Sequence, residues 1–261
     1  MTDKILSRKE GGVGHLVFNN PERHNAVSLD MWEAAEAAIA GFKADPEVRV
    51  VVLSGAGGKT FVSGADISKF EKDRATKEAV ARYGVIVERA YDAFAAFPKP
   101  TVAMIRGYCI GGGLALALCC DMRICTDAST FGVPAAKLGL GYPFKGIKRL
   151  VDVVGPSSAK EIFFTARQFT AAEAQTMGLV NRVLSSDALE KYVEDTTATI
   201  AGNAPLTVDS VKFIVGETMK PAVERDLQSC ADRVAACFAS NDYKEGRAAF
   251  MEKRKPHFTG A

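Results

Sequence analysis

The 261-residue sequence lacks the features that several protein classes require. Lysine plus arginine number 33 and aspartate plus glutamate 31, a formal net charge of only +2. Nucleic-acid-binding domains concentrate basic residues on one face, so we expect no nucleic-acid partner. The longest nearly apolar stretch, residues 107–120, has 14 residues, whereas a membrane span needs roughly 18 or more. With no apolar signal core behind Met1, we expect a cytoplasmic protein with no membrane partner.

Metal ligands are also scarce. The six cysteines form no C-x-x-C pair, and the three histidines, His15, His24 and His257, are widely separated. Zinc sites are usually built from closely spaced groups of such residues, so the sequence predicts no metal site. Four of the cysteines have apolar neighbours, which is typical of buried thiols in a reducing compartment.

What the sequence does contain is an alternation of short apolar strands and long helices. This pattern predicts an α/β fold with a parallel sheet. Beyond residue 205 the pattern is entirely helical, which places a domain boundary near 203–205, between a core of residues 1–203 and a helical region of residues 204–261. The predicted strands are 14–19, 49–53, 101–106, 121–126, 129–133 and 179–184, and the main predicted helices are 29–42 and 76–97.

Two loops of small residues are candidates for ligand contact. In residues 61–67, Asp66 is suited to cap a helix, and the small side chain of Ala65 leaves its N–H accessible. The triplet Gly111-Gly112-Gly113 opens an apolar helix, where backbone amides can face an anion. Each loop is also compatible with close packing alone, because glycine at a turn needs no function.

Ordered motifs from residue 20 to residue 254 together resemble the enoyl-CoA hydratase/isomerase, or crotonase, superfamily. The resemblance implies a spiral of ββα repeats and a C-terminal helical region, residues 204–261, that assembles a homotrimer or a dimer of trimers. It also implies an acyl-CoA thioester substrate, which itself brings the coenzyme A, and no other cofactor. The motifs are Asn20-Pro21, Asn25-Ala26, Phe61-x-x-Gly64-Ala65-Asp66-Ile67, Gly107-x-x-x-Gly111-Gly112-Gly113, Cys120-Asp121-x-Arg123, Gly155-x-x-x-Ala159, Ala172-Glu173-Ala174, Gly178-Leu179-Val180-Asn181 and Phe250-x-Glu252-Lys253-Arg254.

The resemblance also implies a site. The N–H groups of Ala65 and Gly112 would form an oxyanion hole around the thioester carbonyl, which agrees with the backbone interpretation of both loops. Phe250 and Lys253, three residues apart and predicted on one helix face, would reach the coenzyme A of a neighbouring subunit. The implied substrate and coenzyme A contacts are Arg23, Ala26, Ser63, Ala65, Asp66, Ile67, Gly111, Gly112, Ala135, Phe250 and Lys253.

The sequence departs from the family pattern at the residues that transfer protons. The two hydratase glutamates fall on Ala115 and Ala135, and a dehalogenase-type aspartate falls on Pro143. A methyl group cannot transfer a proton, and a positioned acid or base contributes roughly 10²–10⁴ in rate. We therefore expect a two-glutamate hydratase mechanism to be severely weakened.

Residues 138–147 and 160–166 look most like the methylmalonyl-CoA decarboxylase branch, whose active-site tyrosine matches Tyr142, although that branch's histidine is replaced by Ala65. Loss of CO2 yields an enolate without a base, so the sequence favours a decarboxylase-like, non-hydratase lyase. Tyr142 is either catalytic or a buried tyrosine, and Lys145 either pairs with an acidic acyl group or is simply solvated. The alternatives are an enoyl-CoA hydratase or isomerase of fatty-acid or branched-chain catabolism, and a non-catalytic acyl-CoA-binding protein.

Overall fold

A computed structural model describes residues 2–69, 73 and 75–261. Ten strands and nine helices are assigned in this part of the chain. The strands are β1 Ile5–Glu10, β2 Val13–Phe18, β3 Val50–Gly55, β4 Thr60–Val62, β5 Thr101–Ile105, β6 Tyr108–Ile110, β7 Met122–Thr126, β8 Thr130–Gly132, β9 Phe169–Thr170 and β10 Arg182–Leu184. The helices are α1 Leu29–Ala44, α2 Lys77–Ala95, α3 Gly112–Leu118, α4 Phe144–Thr165, α5 Ala171–Thr176, α6 Leu189–Gly202, α7 Pro205–Thr218, α8 Leu227–Ala239 and α9 Asn241–Glu252.

The strands form two sheets. The larger has the order β1-β2-β3-β5-β7-β10, and the smaller has the order β4-β6-β8-β9. In the pairs β3–β4, β5–β6 and β7–β8 the first strand joins the larger sheet and the second joins the smaller one. The opening strands β1 and β2 pair with each other, and β9 joins the smaller sheet before β10 joins the larger one. Apart from β1 and β9, neighbouring strands are parallel. This confirms the predicted α/β fold and its spiral of ββα repeats.

Burial on both faces explains the composition of the central strands. The first four residues of β3, Val50–Leu53, are all buried, as expected for a parallel strand that is covered on both sides. The main core joins the sheets to α1, α2 and α3, with Trp32, Phe61 and Phe94 among its largest fully buried side chains. The loops that connect the two sheets are thereby held on a rigid base.

The sequence did not predict β1, β4, β6 or β9. Strands β4 and β6 have three residues each, too few for an alternating pattern, and lie inside the loops that were singled out for their small residues. Strand 179–184 begins only at Arg182, because the amide of Leu179 bonds the carbonyl of Ala174 and that of Asn181 bonds the carbonyl of Arg123. The first of these bonds closes a local turn, and the second already reaches β7, the strand with which β10 pairs.

Everything after residue 205 that has regular structure is helical, as predicted. Lys212 on α7 ties this region to the core, because its Nζ lies 2.8 Å from Asp121 Oδ2 and 2.8 Å from the carbonyl oxygen of Lys99. The boundary at 203–205 stays a prediction. Within the described residues, no helix is long and apolar enough to cross a membrane.

Candidate active site

A cavity of about 320 Å³ lies where the two small-residue loops meet. Its walls come from Ser63–Ala65 and Ile67, the first two glycines of the triplet, one face of α2, and residues between 133 and 146 that lead into α4. Of the residues predicted to act, Ala65, Gly112 and Tyr142 all line this cavity. The fold therefore brings together positions that are up to 77 residues apart in the sequence.

Two backbone amides converge at one wall. Gly64 and Gly111, which immediately precede Ala65 and Gly112, have φ angles of 105° and 56°, a region where glycine avoids the strain of a side chain. A Cβ built on Gly112 would lie 3.7 Å from the nitrogen of Ala65. The two donors are therefore close neighbours in space, and each is placed by a glycine turn.

Both amides are left free by the surrounding backbone. Val27 pairs with the strand-like residue Ala65 by donating to the carbonyl of Gly64 and accepting from the amide of Asp66, at 2.8 and 3.0 Å. That pattern bypasses the N–H of Ala65. Gly112 is the first residue of α3 and has no intrahelical acceptor. Among the described residues neither amide donates a hydrogen bond, so both can serve a ligand oxygen.

Tyr91 holds the peptide group of Gly112, the second donor, in place. Its hydroxyl donates to the carbonyl of Gly112 at 3.0 Å, and its ring packs edge-on against Trp32 at 5.0 Å. Burial holds the pKa of Tyr91 well above its ordinary value, so this hydroxyl keeps its proton. At the next residue, a Cβ on Gly113 would lie 2.0 Å from the carbonyl oxygen of Val62, so only glycine allows this close approach.

The two positions that carry glutamates in family hydratases present methyl groups to the cavity. Ala115 and Ala135 both line it and are only 7% and 5% exposed. Their side chains have no group that transfers a proton or binds water. Both alanines line the same cavity as Ala65 and Gly112.

Tyr142 also lines the cavity and lies just before α4. Its ring packs edge-on against Phe163 at 5.0 Å, and burial raises the pKa of its phenol to about 12. Within the part of the chain that the structure describes, its hydroxyl has no hydrogen-bond partner. Tyr142 is therefore neutral at pH 7 and offers an uncommitted hydroxyl to the cavity.

A compact group of charges borders the same side of the cavity. The Arg149 Nη2 atom lies 3.1 Å from Glu88 Oε1 and 2.8 Å from Asp92 Oδ1. Lys145 Nζ lies 2.8 Å from Asp92 Oδ2 and 4.0 Å from Glu88 Oε1. Lys145 is thus paired within the protein, although its side chain is 58% exposed. Of these four residues, Glu88 lines the cavity.

The predicted coenzyme A contacts lie at or near the mouth. Ser63, Ile67 and Gly111 line the cavity, and Ile67 is 61% exposed. Arg23 lies outside it, where its Nη1 atom is 2.6 Å from Ser68 Oγ and 3.5 Å from Asp66 Oδ1. Ala26 follows Arg23 by three residues in the sequence and is half-buried.

Asp66 caps a short turn rather than a long helix. It accepts from the amide and the hydroxyl of Ser68 at 3.1 and 2.6 Å, at the start of the 3-10 turn Ile67–Lys69. Burial alone would raise the pKa of Asp66, but these hydrogen bonds and the charge of Arg23 outweigh it and lower the pKa below its ordinary value. Asp66 is therefore ionised at neutral pH and shapes the loop that carries Ala65.

Phe250 and Lys253 do not belong to this cavity within one chain. Phe250 is 82% exposed on α9. The prediction that both residues share one helix face is wrong, because α9 ends at Glu252 and Lys253 is its C-cap with φ 54° and ψ 36°. The left-handed turn redirects the chain after Glu252. Their contact with a neighbouring subunit's coenzyme A stays a prediction.

Several cavity residues were missed from the sequence, among them Trp32, Glu88 and Tyr91. A partial signal was available, because Glu88 and Tyr91 flank the apolar stripe of α2 at helical spacing. The apolar stripe alone gave no indication that a second face of α2 borders a cavity. No sequence pattern connected Glu88 to Arg149, which lies 61 residues away.

The cysteines near the cavity act as core thiols. Cys119 and Cys120 are buried, and their Sγ atoms contact the carbonyl oxygens of Ala115 and Leu116 at 3.3 and 3.8 Å. Burial raises the pKa of Cys119 to about 12, so this thiol is not a nucleophile at neutral pH. The described residues contain no group of three or more His, Cys, Asp or Glu side chains that could hold a metal ion.

Comparison with known proteins identifies the family. A family model described as Enoyl-CoA hydratase/isomerase matches residues 8–261. The chain belongs to this family. Among its relatives, a crotonyl-CoA hydratase from Syntrophomonas wolfei is 35% identical, with 98% of each chain covered. A peroxisomal Delta(3,5)-Delta(2,4)-dienoyl-CoA isomerase from Arabidopsis thaliana is 33% identical, over 97% of this chain and 95% of the relative.

A solved structure supports the same assignment. The crystal structure of an enoyl-CoA hydratase/carnithine racemase from Magnetospirillum magneticum superposes with a TM-score of 0.95 and 37% identity, covering 100% of this chain and 97% of the other. The predicted hydratase/isomerase superfamily is thereby confirmed. The relatives are named as hydratases and isomerases, which favours the alternative function from the sequence over its preferred one.

Proposed function

We propose that this hydratase/isomerase family member acts on acyl-CoA thioesters and stabilises a thioester enolate between the amides of Ala65 and Gly112. The single observation that carries the proposal is the pair of unengaged N–H groups at the cavity wall. Relatives named for crotonyl-CoA and dienoyl-CoA support the substrate class. Coenzyme A enters with the substrate, and no separate cofactor takes part.

In this proposal the backbone supplies most of the electrostatic stabilisation. As charge moves onto the thioester oxygen, two fixed donors meet it without reorganising, and one such donor is worth roughly 10²–10³ in rate. Tyr91 keeps the Gly112 peptide in place through its hydrogen bond. Ser63, Ile67 and Gly111 would contact the substrate near the thioester, and Arg23, Ala26 and Asp66 would support the coenzyme A portion at the mouth.

The reaction we favour is that of an enoyl-CoA isomerase or hydratase. The names of the relatives support this class. The methyl groups of Ala115 and Ala135 argue against a mechanism in which two glutamates at these positions handle water. Proton transfer in this chain then requires another group in the cavity.

A second candidate is decarboxylation of a malonyl-type thioester. It is favoured by the same two methyl groups together with the neutral, uncommitted hydroxyl of Tyr142. Loss of CO2 forms the enolate directly, so no base is needed and the oxyanion hole carries the chemistry. Tyr142 would orient the leaving carboxylate or protonate the enolate.

Residues 204–261 are proposed to assemble the chain into a homotrimer or a dimer of trimers. Large apolar side chains are exposed along α7 to α9 and their connections, and exposed apolar patches mark interfaces. In such an assembly Phe250 and Lys253 would approach a neighbouring subunit's coenzyme A. The exposed residues are Val211, Val215, Met219, Val223, Leu227, Phe238 and Phe250.

The experiment is incubation of the purified protein with a mixed acyl-CoA pool in D2O, followed by chromatography and mass spectrometry. The pool contains crotonyl-, 3-butenoyl-, malonyl- and methylmalonyl-CoA. Gain of water or a shift of the double bond would support the hydratase/isomerase proposal, and loss of CO2 would establish the decarboxylase instead. Binding without any turnover would favour the non-catalytic acyl-CoA-binding alternative, and absence of binding would refute the substrate class.

A further inference from the structure

We infer that Glu88 is the group that removes and returns protons on the acyl carbons of the substrate. This inference rests on the proposed acyl-CoA function. Among the described residues that line the cavity, Glu88 is the one carboxylate, and none is a histidine, lysine or cysteine. A general base must lie where the reacting proton is, and within the described lining Glu88 is the residue whose type fits.

The register of α2 directs Glu88 into the cavity. Residues at spacings of three and four, Val80, Tyr83, Val87 and Tyr91, line the cavity together with Glu88, so one face of the helix forms this wall. Tyr91, which contacts the carbonyl of Gly112, lies three residues after Glu88, about 4.5 Å along the helix axis. Glu88 is therefore one turn away from the residue that touches the oxyanion hole.

The two carboxylate oxygens of Glu88 have different surroundings. Oε1 is held by Arg149 Nη2 at 3.1 Å and has Lys145 Nζ at 4.0 Å. Oε2 makes no hydrogen bond with any described residue. The side chain is 26% exposed. One oxygen thus fixes the orientation, and the other keeps its lone pairs for a substrate proton.

The neighbouring charges separate this role from simple structural pairing. Asp92, one turn further along α2, binds the same Arg149 and Lys145, at 2.8 Å from each, yet it does not line the cavity. The negative charges of Glu88 and Asp92 balance the positive charges of Arg149 and Lys145. Ion pairing alone does not distinguish Glu88 from Asp92, whereas contact with the cavity does.

The proton transfer balances without any co-reactant. Glu88 Oε2 takes a proton from a carbon of the acyl chain that is conjugated to the thioester. The electron pair of that C–H bond becomes part of the enolate, whose negative charge lies on the oxygen held by Ala65 and Gly112. Because the Glu88 side chain is 26% exposed, the proton on its carboxyl is replaced by a deuteron from D2O. The carboxyl then returns that deuteron to the same carbon, which gives exchange, or delivers a proton or deuteron to the carbon two positions along the conjugated chain, which shifts a double bond.

The test is deuterium exchange into butyryl-CoA and crotonyl-CoA in D2O, with the labelled carbon located by NMR. The variants are Glu88→Gln and, as the matched control, Asp92→Asn, which removes the other carboxylate of the same ion-pair group. Calorimetric binding of butyryl-CoA and the Tm of each variant are measured in parallel. We expect the wild-type protein to exchange at Cα or Cγ, Glu88→Gln to lose roughly 10²-fold or more, and Asp92→Asn to stay within about threefold.

Each other result overturns the inference in a distinguishable way. Exchange by Glu88→Gln within about threefold of wild type would remove Glu88 from the proton path. Equal losses in both variants would assign Glu88 a structural role only. If the wild-type protein binds butyryl-CoA but exchanges no proton, the base is refuted while the acyl-CoA site stands. If it binds no acyl-CoA, the proposed function fails as well.

Discussion

The two walls of the cavity are built by different means. On one wall the functional groups are backbone amides, placed by Gly64 and Gly111 in conformations with positive φ. On the other wall they are the side chains of Glu88 and Tyr142, with Glu88 held by ion pairs from α4. In the amide wall, the amides form a fixed arrangement that suits a thioester oxygen, whereas Glu88 and Tyr142 depend on side-chain packing and ion pairs for their positions.

Ala115 and Ala135 illustrate the difference between the backbone groups and the side-chain groups of the cavity. They line the same cavity as Ala65 and Gly112, at the positions that the family resemblance assigns to the two hydratase glutamates. The fold therefore keeps two unengaged amides at the cavity wall. In the proposed function these amides stabilise an enolate, and a group other than Ala115 or Ala135 transfers the proton.

The largest expected effect comes from blocking the amide wall. In Gly112→Ala the new methyl would lie 3.1 Å from Tyr91 Oη and 3.7 Å from the Ala65 nitrogen, inside the space for the substrate oxygen. We expect turnover to fall roughly 10²-fold or more, measured as kcat on whichever acyl-CoA the mixed-pool assay identifies.

The matched control is Gly84→Ala. Gly84 also lines the cavity, but a Cβ there meets nothing within 4 Å, and alanine favours a helix interior. Its kcat should stay within about threefold of wild type. Equal losses in both variants would mean that the cavity tolerates no added methyl anywhere, and the assignment of the amide wall would lose its support.

The sequence predicted the backbone groups of the site better than its side-chain groups. For the amide wall, the local pattern made the amides of Ala65 and of the glycine triplet candidates for ligand contact, and the family resemblance then indicated the pair Ala65 and Gly112. The strands β4 and β6 that carry those loops were not predicted, since three residues show no periodicity. The role of Glu88 was missed because its partner Arg149 is brought to it only by packing of α2 against α4.

An intermediate effect is expected at the support of the amide wall. Tyr91→Phe removes the hydrogen bond to the Gly112 carbonyl and leaves a buried acceptor with one partner fewer, at a cost of about 1 kcal/mol. We expect kcat to fall about fivefold and the free energy of unfolding to fall by about 1 kcal/mol in urea titration. Tyr108→Phe, at a tyrosine that is 43% exposed, is the control and should change neither quantity.

The smallest effect is expected at Tyr142 if the enzyme is an isomerase or hydratase. Tyr142→Phe keeps the ring that packs against Phe163 and removes only the hydroxyl, so kcat should change less than about threefold. Because burial raises the pKa of this phenol to about 12, the wild-type pH–rate profile should show no loss from its ionisation below pH ~10. A large fall in kcat in Tyr142→Phe would favour decarboxylation.

The proposed function depends on the Ala65 and Gly112 amides binding the thioester oxygen. Vibrational difference spectroscopy of bound butyryl-CoA with a 13C-labelled carbonyl measures this binding at the oxygen itself. Two hydrogen bonds to the oxygen weaken the C=O bond. We predict that the carbonyl stretch moves to lower frequency on binding to the wild-type protein, and that the shift is largely lost in Gly112→Ala but kept in Gly84→Ala. A bound thioester whose carbonyl frequency equals that in water, or one equally shifted in Gly112→Ala, would contradict the account.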